Sequence, residues 1–284
     1  MEIEIAKISG YCFGVKRAIE ITETVLAKYK NKKVKVYSMG QIIHNQGVID
    51  KLREKGLILI QKEEEIEPGS VFIVRSHGMS PDFLRRIKSK GIKIIDTACP
   101  FVKRAQSKAK MLSGRGYHLV IIGNSRHPEV LSEIEHAGNK NLTVIEKPSE
   151  LNLVKKHEKI GVIMQTTQIK ENAKAIIAGL LDKGKEILIA NTICNITENR
   201  QKVTRELAKK TDIMIIVGGK NSANTTHLAQ ISKEFNKKTY HIDSYREIKK
   251  SWFLPGMKVG ISGGASTPME DISLVQQHIK DMGI

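Results

Sequence analysis

The sequence predicts an α/β protein built from three small units with mainly parallel sheets, related to one another by a pseudo-threefold repeat. Three observations carry that prediction. Cys12, Cys99 and Cys194 stand 87 and 95 residues apart, each a few residues past a short apolar run. Apolar runs of strand length alternate with helical patterns, the mark of parallel sheets joined by right-handed crossovers. The segments between cysteines also repeat in order, which a chance spacing would not do.

The elements follow in sequence. EIEIA (2–6) reads as a strand leading to Cys12, and the cysteine opens a helical pattern, Cys12-Phe-Gly-Val-Lys16-Arg17-Ala18. Cys99-Pro-Phe-Val-Lys103-Arg104-Ala105 echoes it, and Cys194-Asn-Ile-Thr-Glu198-Asn199-Arg200 does so more loosely. After each helix comes a strand ending in glycine: VKVYSMG (34–40), HLVIIG (118–123) and IMIIVGG (213–219). Polar loops follow, with His44 and His127 at equal offsets from Gly40 and Gly123, and Lys220 to Thr226 in the third place. A helix and a short strand come next, GLILI (56–60), LTVI (142–145) and TYHI (239–242). Then comes a strand ending in small polar residues, VFIVRSHG (71–78), GVIMQTT (161–167) and VGISGGAS (259–266). IKIIDTAC (92–99) and EILIANTIC (186–194) carry the chain to the next cysteine. The third unit runs out of chain first, so residues 2–6 are expected to supply its missing strand. The expected division is therefore 1–12 as the strand completing the third unit, then units at 13–98, 99–193 and 194–284.

At 284 residues, with 40% hydrophobic and 27% charged content, the chain has the composition of a globular protein. No stretch approaches the ~18 apolar residues of a membrane span, and the amino terminus lacks the pattern of a signal peptide. A cytoplasmic protein is expected, and an odd number of cysteines in a reducing compartment points to metal binding or catalysis rather than disulfides. A net charge of +17 suggests anionic partners. Nucleic acid is disfavoured because the lysines are dispersed and aromatics make up only 5% of the chain. A small anionic substrate or an acidic electron carrier would use the same field.

In parallel α/β sheets, ligands gather beyond the carboxyl ends of strands, where the functional side chains of this chain fall. His44, His77, His127, Thr166, Ser222, Asn224 and Ser266 form a donor set suited to a phosphate-like anion. Glu129, two residues after His127, reads as the single carboxylate near these loops and hence as a proton donor. Three thiolates at one metal cluster would leave a coordination position open.

These motifs, with Ile43-His44-Asn45, Arg75-Ser76-His77-Gly78, Asp96-Thr97-Ala98-Cys99-Pro100, His127-Pro128-Glu129, Gln165-Thr166-Thr167, Thr192-Ile193-Cys194, Gly219-Lys-Asn-Ser222 and Gly264-Ala265-Ser266-Thr-Pro, resemble the 4-hydroxy-3-methylbut-2-enyl diphosphate reductases, the LytB family, over essentially the whole chain. The resemblance implies a trefoil of three α/β domains around one [4Fe–4S] cluster held by Cys12, Cys99 and Cys194. It implies reductive removal of an allylic hydroxyl, giving isopentenyl and dimethylallyl diphosphates in the last step of the methylerythritol phosphate route. His44, His77, His127, Ser222, Asn224 and Ser266 would hold the diphosphate, while Thr166 and Glu129 would organise proton delivery. A ferredoxin or flavodoxin would supply electrons, since no G-x-G-x-x-G fingerprint follows a strand. A monomer is expected, without membrane or nucleic-acid partners. One position departs from the family pattern: Ala223 stands where a second serine is usual. Two other readings remain open, a quinolinate-synthase-like dehydratase with a three-cysteine cluster and a zinc-stabilised basic nucleic-acid-binding protein.

Overall fold

The computed structural model describes residues 1–138 and 140–283; Ile284, where the predicted third unit ends, lies outside them. In chain order, β1 (Glu2–Ile5) leads past Cys12 into α1 (Phe13–Tyr29), followed by β2 (Val36–Met39), α2 (Gln46–Glu54), β3 (Leu57–Ile60), β4 (Val71–Val74), α3 (Pro81–Ser89) and β5 (Lys93–Asp96). From Cys99 the chain continues through α4 (Pro100–Gly114), β6 (His118–Ile122), α5 (Pro128–Ala137), β7 (Leu142–Ile145), β8 (His157–Met164), α6 (Lys170–Leu180) and β9 (Gly184–Ile189). From Cys194 it runs through α7 (Asn195–Lys210), β10 (Ile213–Val217), α8 (Ala223–Phe235), β11 (Thr239–Ile242), β12 (Lys258–Gly263) and α9 (Met269–Asp281).

The strands form three four-stranded sheets, ordered β3-β2-β4-β5, β7-β6-β8-β9 and β11-β10-β12-β1. Every pairing is parallel. The three orders are the same order. The strand that precedes a cysteine always occupies the edge next to the strand bearing small polar residues. For the third sheet that edge strand is β1, paired in register from Glu2 against Lys258 to Ile5 against Ile261, as the truncated repeat requires.

Parallel strands buried on both faces need continuous apolar runs, which is why β6 (HLVII) and β10 (IMIIV) are buried throughout. The period-2 alternation of a strand then divides one run between two cores. Ile213, Ile215 and Val217 pack with Val259, Ile261 and the α9 residues Ile272, Val275 and Ile279. Met214 and Ile216 pack instead with Leu207 and Ala208 of α7 and Leu228 and Ala229 of α8. Full burial of each such side chain contributes about 1.5–3 kcal/mol relative to exposure. The second sheet divides likewise, Val120 and Ile122 facing α6 and Leu119 and Ile121 facing α4 and α5.

Contacts group the chain into two compact units. One holds the third sheet with residues 1–13 and 44–46, and the other holds the first and second sheets. Short 3-10 turns at Glu63–Glu65, Pro148–Leu153, Tyr245–Glu247 and Lys250–Trp252 connect strands where the sequence reading left loops. No helix among the described residues is long and apolar enough to cross a membrane.

Candidate functional site

Each cysteine occupies the junction between a strand and a helix. Cys12 precedes α1, Cys99 is the N-cap of α4 with Pro100 at the first helical position, and Cys194 precedes α7. A helix amino terminus carries a partial positive charge, so a thiolate at that point meets favourable potential. The three backbones are anchored alike. Cys12 N–H donates to Ala265 O (3.0 Å), Cys99 N–H to Ser76 O (2.9 Å) and Cys194 N–H to Thr166 O (2.9 Å). The acceptors lie in the corresponding loops after β12, β4 and β8, so one hydrogen bond recurs in every repeat.

The residues two before the cysteines also repeat a task. Thr97 and Thr192 donate their hydroxyls to Val74 O and Met164 O, tying the loop to the neighbouring strand. Gly10, in a left-handed conformation at φ 82°, holds the first place. There the tie comes from Arg200, whose guanidinium donates to Gly10 O (2.8 Å) and Gly263 O (2.7 Å). Arg200 is 1% exposed; burial lowers its pKa, and the neighbouring Cys12 opposes that shift. Arg17 of α1 similarly donates to Ala98 O (3.3 Å), just before Cys99. Both arginines stand in the motifs that follow a cysteine, Arg17 five residues after Cys12 and Arg200 six after Cys194, and that spacing alone assigns neither a role.

None of the three cysteines is in a disulfide. Gly14 forms part of the space around Cys99, for a Cβ there would lie 2.6 Å from Cys99 Sγ. Each thiol thus has the same backbone anchoring and a helix amino terminus behind it, and Cys99 also has side-chain volume withheld beside its sulfur, features that suit a thiolate ligand.

Beside the Cys194 loop lies a buried acid. Glu129, in the first turn of α5, is 2% exposed. Thr166 donates to both of its oxygens, from the backbone N–H to Oε1 (2.6 Å) and from the hydroxyl to Oε2 (2.9 Å). Because Thr166 O also accepts from Cys194 N–H, a short chain of hydrogen bonds links the carboxyl group to a cysteine-bearing loop. Burial pushes the Glu129 pKa up to about 7, against the lowering effect of the two Thr166 hydrogen bonds.

One expectation needs correction. Glu129 is not the single carboxylate here, because Glu133 lies one helical turn on, fully buried and interacting with it. The signal was its i,i+4 spacing on a helix whose polar and apolar residues had not been assigned to faces.

The anion-binding candidates are shared between the two compact units, the one with the first and second sheets and the one with the third. In the first, His77 and His127 meet edge to face at 5.4 Å. His127 caps α5, its Nδ1 accepting from Glu129 N–H (3.2 Å), so a neutral ring carries its proton on Nε2 and can donate from there. In the second, Ser266 Oγ donates to His44 O (2.9 Å). Ser222 caps α8, accepting from Thr225 N–H (3.4 Å). The Asn224 side chain in the first turn is 4% exposed, and neither its nitrogen nor its oxygen has a hydrogen-bond partner among the described residues. A buried amide left unsatisfied at a helix amino terminus is the arrangement a bound anion completes.

Repeated parallel sheets, a cysteine at each strand-to-helix junction and a buried carboxylic acid define the class: an α/β protein of three like sheets whose chemistry-bearing side chains lie at strand ends. Residues 3–280 match the family described as LytB protein, and the chain belongs to that family. Among its relatives, the 4-hydroxy-3-methylbut-2-enyl diphosphate reductases of Aquifex aeolicus and Campylobacter hominis are 40% and 42% identical to it. The first alignment covers 99% of this chain and 97% of the relative, the second 99% and 100%. A solved structure of (E)-4-hydroxy-3-methyl-but-2-enyl diphosphate reductase, described as the terminal enzyme of the non-mevalonate pathway, is 40% identical, covers 99% of both chains and superposes with a TM-score of 0.70. The E-1-hydroxy-2-methyl-but-2-enyl-4-diphosphate reductase of Plasmodium falciparum, 26% identical over 98% of this chain and 87% of its own, superposes with a TM-score of 0.89.

Proposed function

We propose that this chain reductively removes the allylic hydroxyl of (E)-4-hydroxy-3-methylbut-2-enyl diphosphate, yielding isopentenyl and dimethylallyl diphosphates, with one [4Fe–4S] cluster held by Cys12, Cys99 and Cys194. The reaction consumes two electrons and two protons; the C–O bond breaks, water leaves, and carbon gains a hydrogen. The observation that carries the reading is the hydrogen-bonded run from Glu129 through Thr166 to the Cys194 backbone. It places a buried acid of near-neutral pKa beside a cysteine loop. When bound, a three-cysteine cluster supplies single electrons and an iron with an open position that acts as a Lewis acid.

The chain's own residues do the rest. Ser222, Asn224 and Ser266, with His44, His77 and His127, donate hydrogen bonds to the diphosphate, helped by the amino termini of α5 and α8. Glu129, protonated in part at neutral pH, gives its proton toward the departing oxygen through the Thr166 hydroxyl, which can accept one proton while donating another. Burial of both residues excludes water that would level the acid's strength. A net charge of +17 favours an acidic ferredoxin or flavodoxin as donor of the two electrons. A cytoplasmic monomer is the accompanying expectation.

The test is anaerobic reconstitution with iron and sulfide, then addition of the allylic diphosphate with a one-electron reductant. Both five-carbon diphosphates should appear, with two electrons consumed per turnover. Turnover without reductant would favour a dehydratase of the quinolinate-synthase kind, and bound zinc without sulfide would remove the cluster reading.

A further inference from the structure

Glu129 and Glu133 are separated by one turn of α5, and their side chains therefore share a face. Both are buried, at 2% and 0% exposure. Their surroundings treat them differently. Glu129 receives two donors from Thr166, whereas neither oxygen of Glu133 has a donor among the described residues. The side-chain amide of Gln106 on α4 is spent on Ser132 Oγ (2.8 Å). Among the described residues, no cation compensates either carboxyl. On α4, Lys103, Arg104 and Lys110 are exposed and Lys108 is half-buried. Arg75, beyond β4, turns to Gly78 O (3.4 Å), His136 on α5 bonds Ser132 O (2.7 Å), and His127 is occupied with the Glu129 amide.

A buried carboxylate with neither donor nor cation is too costly to persist, so Glu133 must be neutral. A neutral carboxyl has one O–H to donate, and the acceptor beside it is Glu129. Resting on the functional reading above, we propose that Glu133 is a positioning residue that stays protonated and donates its O–H to the Glu129 carboxylate formed when Glu129 releases its proton. Such an O–H···O⁻ bond is among the stronger hydrogen bonds in proteins.

The titration of the pair agrees in direction. Burial raises both groups; the charge of Glu129 raises Glu133 further, while the hydrogen bond from Glu133 lowers Glu129. The proton that leaves is therefore that of Glu129, and the one that stays is that of Glu133.

Two variants and a spectrum test this. Glu133→Gln keeps an N–H donor and should hold kcat within about threefold of wild type, whereas Glu133→Met cannot donate and should lose about 10- to 100-fold in kcat, the worth of a hydrogen bond to a charged group. In the Met variant KM should hold, and the alkaline fall of kcat should move to higher pH because Glu129 loses its stabilising donor. The cluster-free Met variant should melt no lower than wild type, since an apolar side chain replaces a buried polar one. Equal losses in both variants would overturn the proposal, as would a Met variant with normal kcat or with a lowered melting temperature and an unmoved pH profile. Independent of turnover, the cluster-free wild type should keep an infrared band of a protonated carboxyl at pH well above 7, where Glu129 has lost its proton, and that band should vanish in Glu133→Gln. Its absence overturns the proposal whatever the substrate proves to be, and its presence with no turnover of the allylic diphosphate would place the failure in the functional reading alone.

Discussion

Glu129 owes its chemistry to two effects that oppose one another. Burial raises the carboxyl's pKa, and the hydrogen bonds from Thr166 and Glu133 oppose it, leaving a value of about 7. Glu129→Gln should therefore keep the cluster and bind substrate while kcat falls about 10²–10⁴-fold, the usual worth of general acid catalysis. A near-normal kcat with a raised KM would remove Glu129 from the proton path. Since the acid must be protonated, the wild-type kcat should decline as pH rises through about 7, and that limb should be missing in the glutamine variant. Asn224→Ala, His44→Ala and Ser266→Ala should each raise KM more than replacement of an exposed lysine does, because screened surface charges cannot replace a direct contact. Equal effects from scattered lysines would point to long-range steering instead. The cysteines were legible because a repeat marks them; Glu133 was not, because a carboxylate in a helical run looks like any solvated residue until the helix face is known.

The strand-to-helix junction is the element that recurs, and its repetition explains why local sequence was so informative. All twelve predicted strands are present within a few residues, since parallel strands covered on both faces must be continuously apolar. Helix starts were marked by the cysteines, while the capping of α5 by His127 and of α8 by Ser222 emerged only from the structure. Replacing any one of Cys12, Cys99 or Cys194 with serine should abolish or cripple the cluster while far-ultraviolet circular dichroism stays near wild type, because each sheet has its own apolar core. Full iron and sulfide content with normal activity in all three variants would refute the ligand assignment. Gly14→Ala should damage the cluster through geometry alone: its methyl group would press on Cys99 Sγ at 2.6 Å. Iron content or the cluster spectrum should change although no ligand is lost, and an unchanged spectrum would show that α1 yields easily.

At the scale of the whole molecule, a carboxyl group held above its usual pKa makes stability depend on pH in a definite direction. Glu129 has its ordinary value near 4.5 when unfolded and about 7 when folded. Its favourable contribution is therefore complete below about 4.5 and is lost as pH rises through about 7. Glu133 shifts the same way. In denaturant titrations of the cluster-free protein across that window, Glu129→Gln should lose less stability with rising pH than wild type, and parallel pH dependences would exclude Glu129 as the source. Whereas the strand order within each sheet came from the fold, the sequence by itself determined the strands, their parallel sheets, the borrowing of residues 2–6 by the third sheet and the residue types at each strand end. Those follow from periodicity and repetition, which are properties of the chain. Only the tertiary structure decided that Thr166 holds both oxygens of Glu129, that Glu133 is buried without a donor, that Arg200 fastens the loop before Cys12 and that the Asn224 amide is left unsatisfied. Burial and hydrogen-bond partnership arise from contacts between residues far apart in the chain, and no local pattern encodes them.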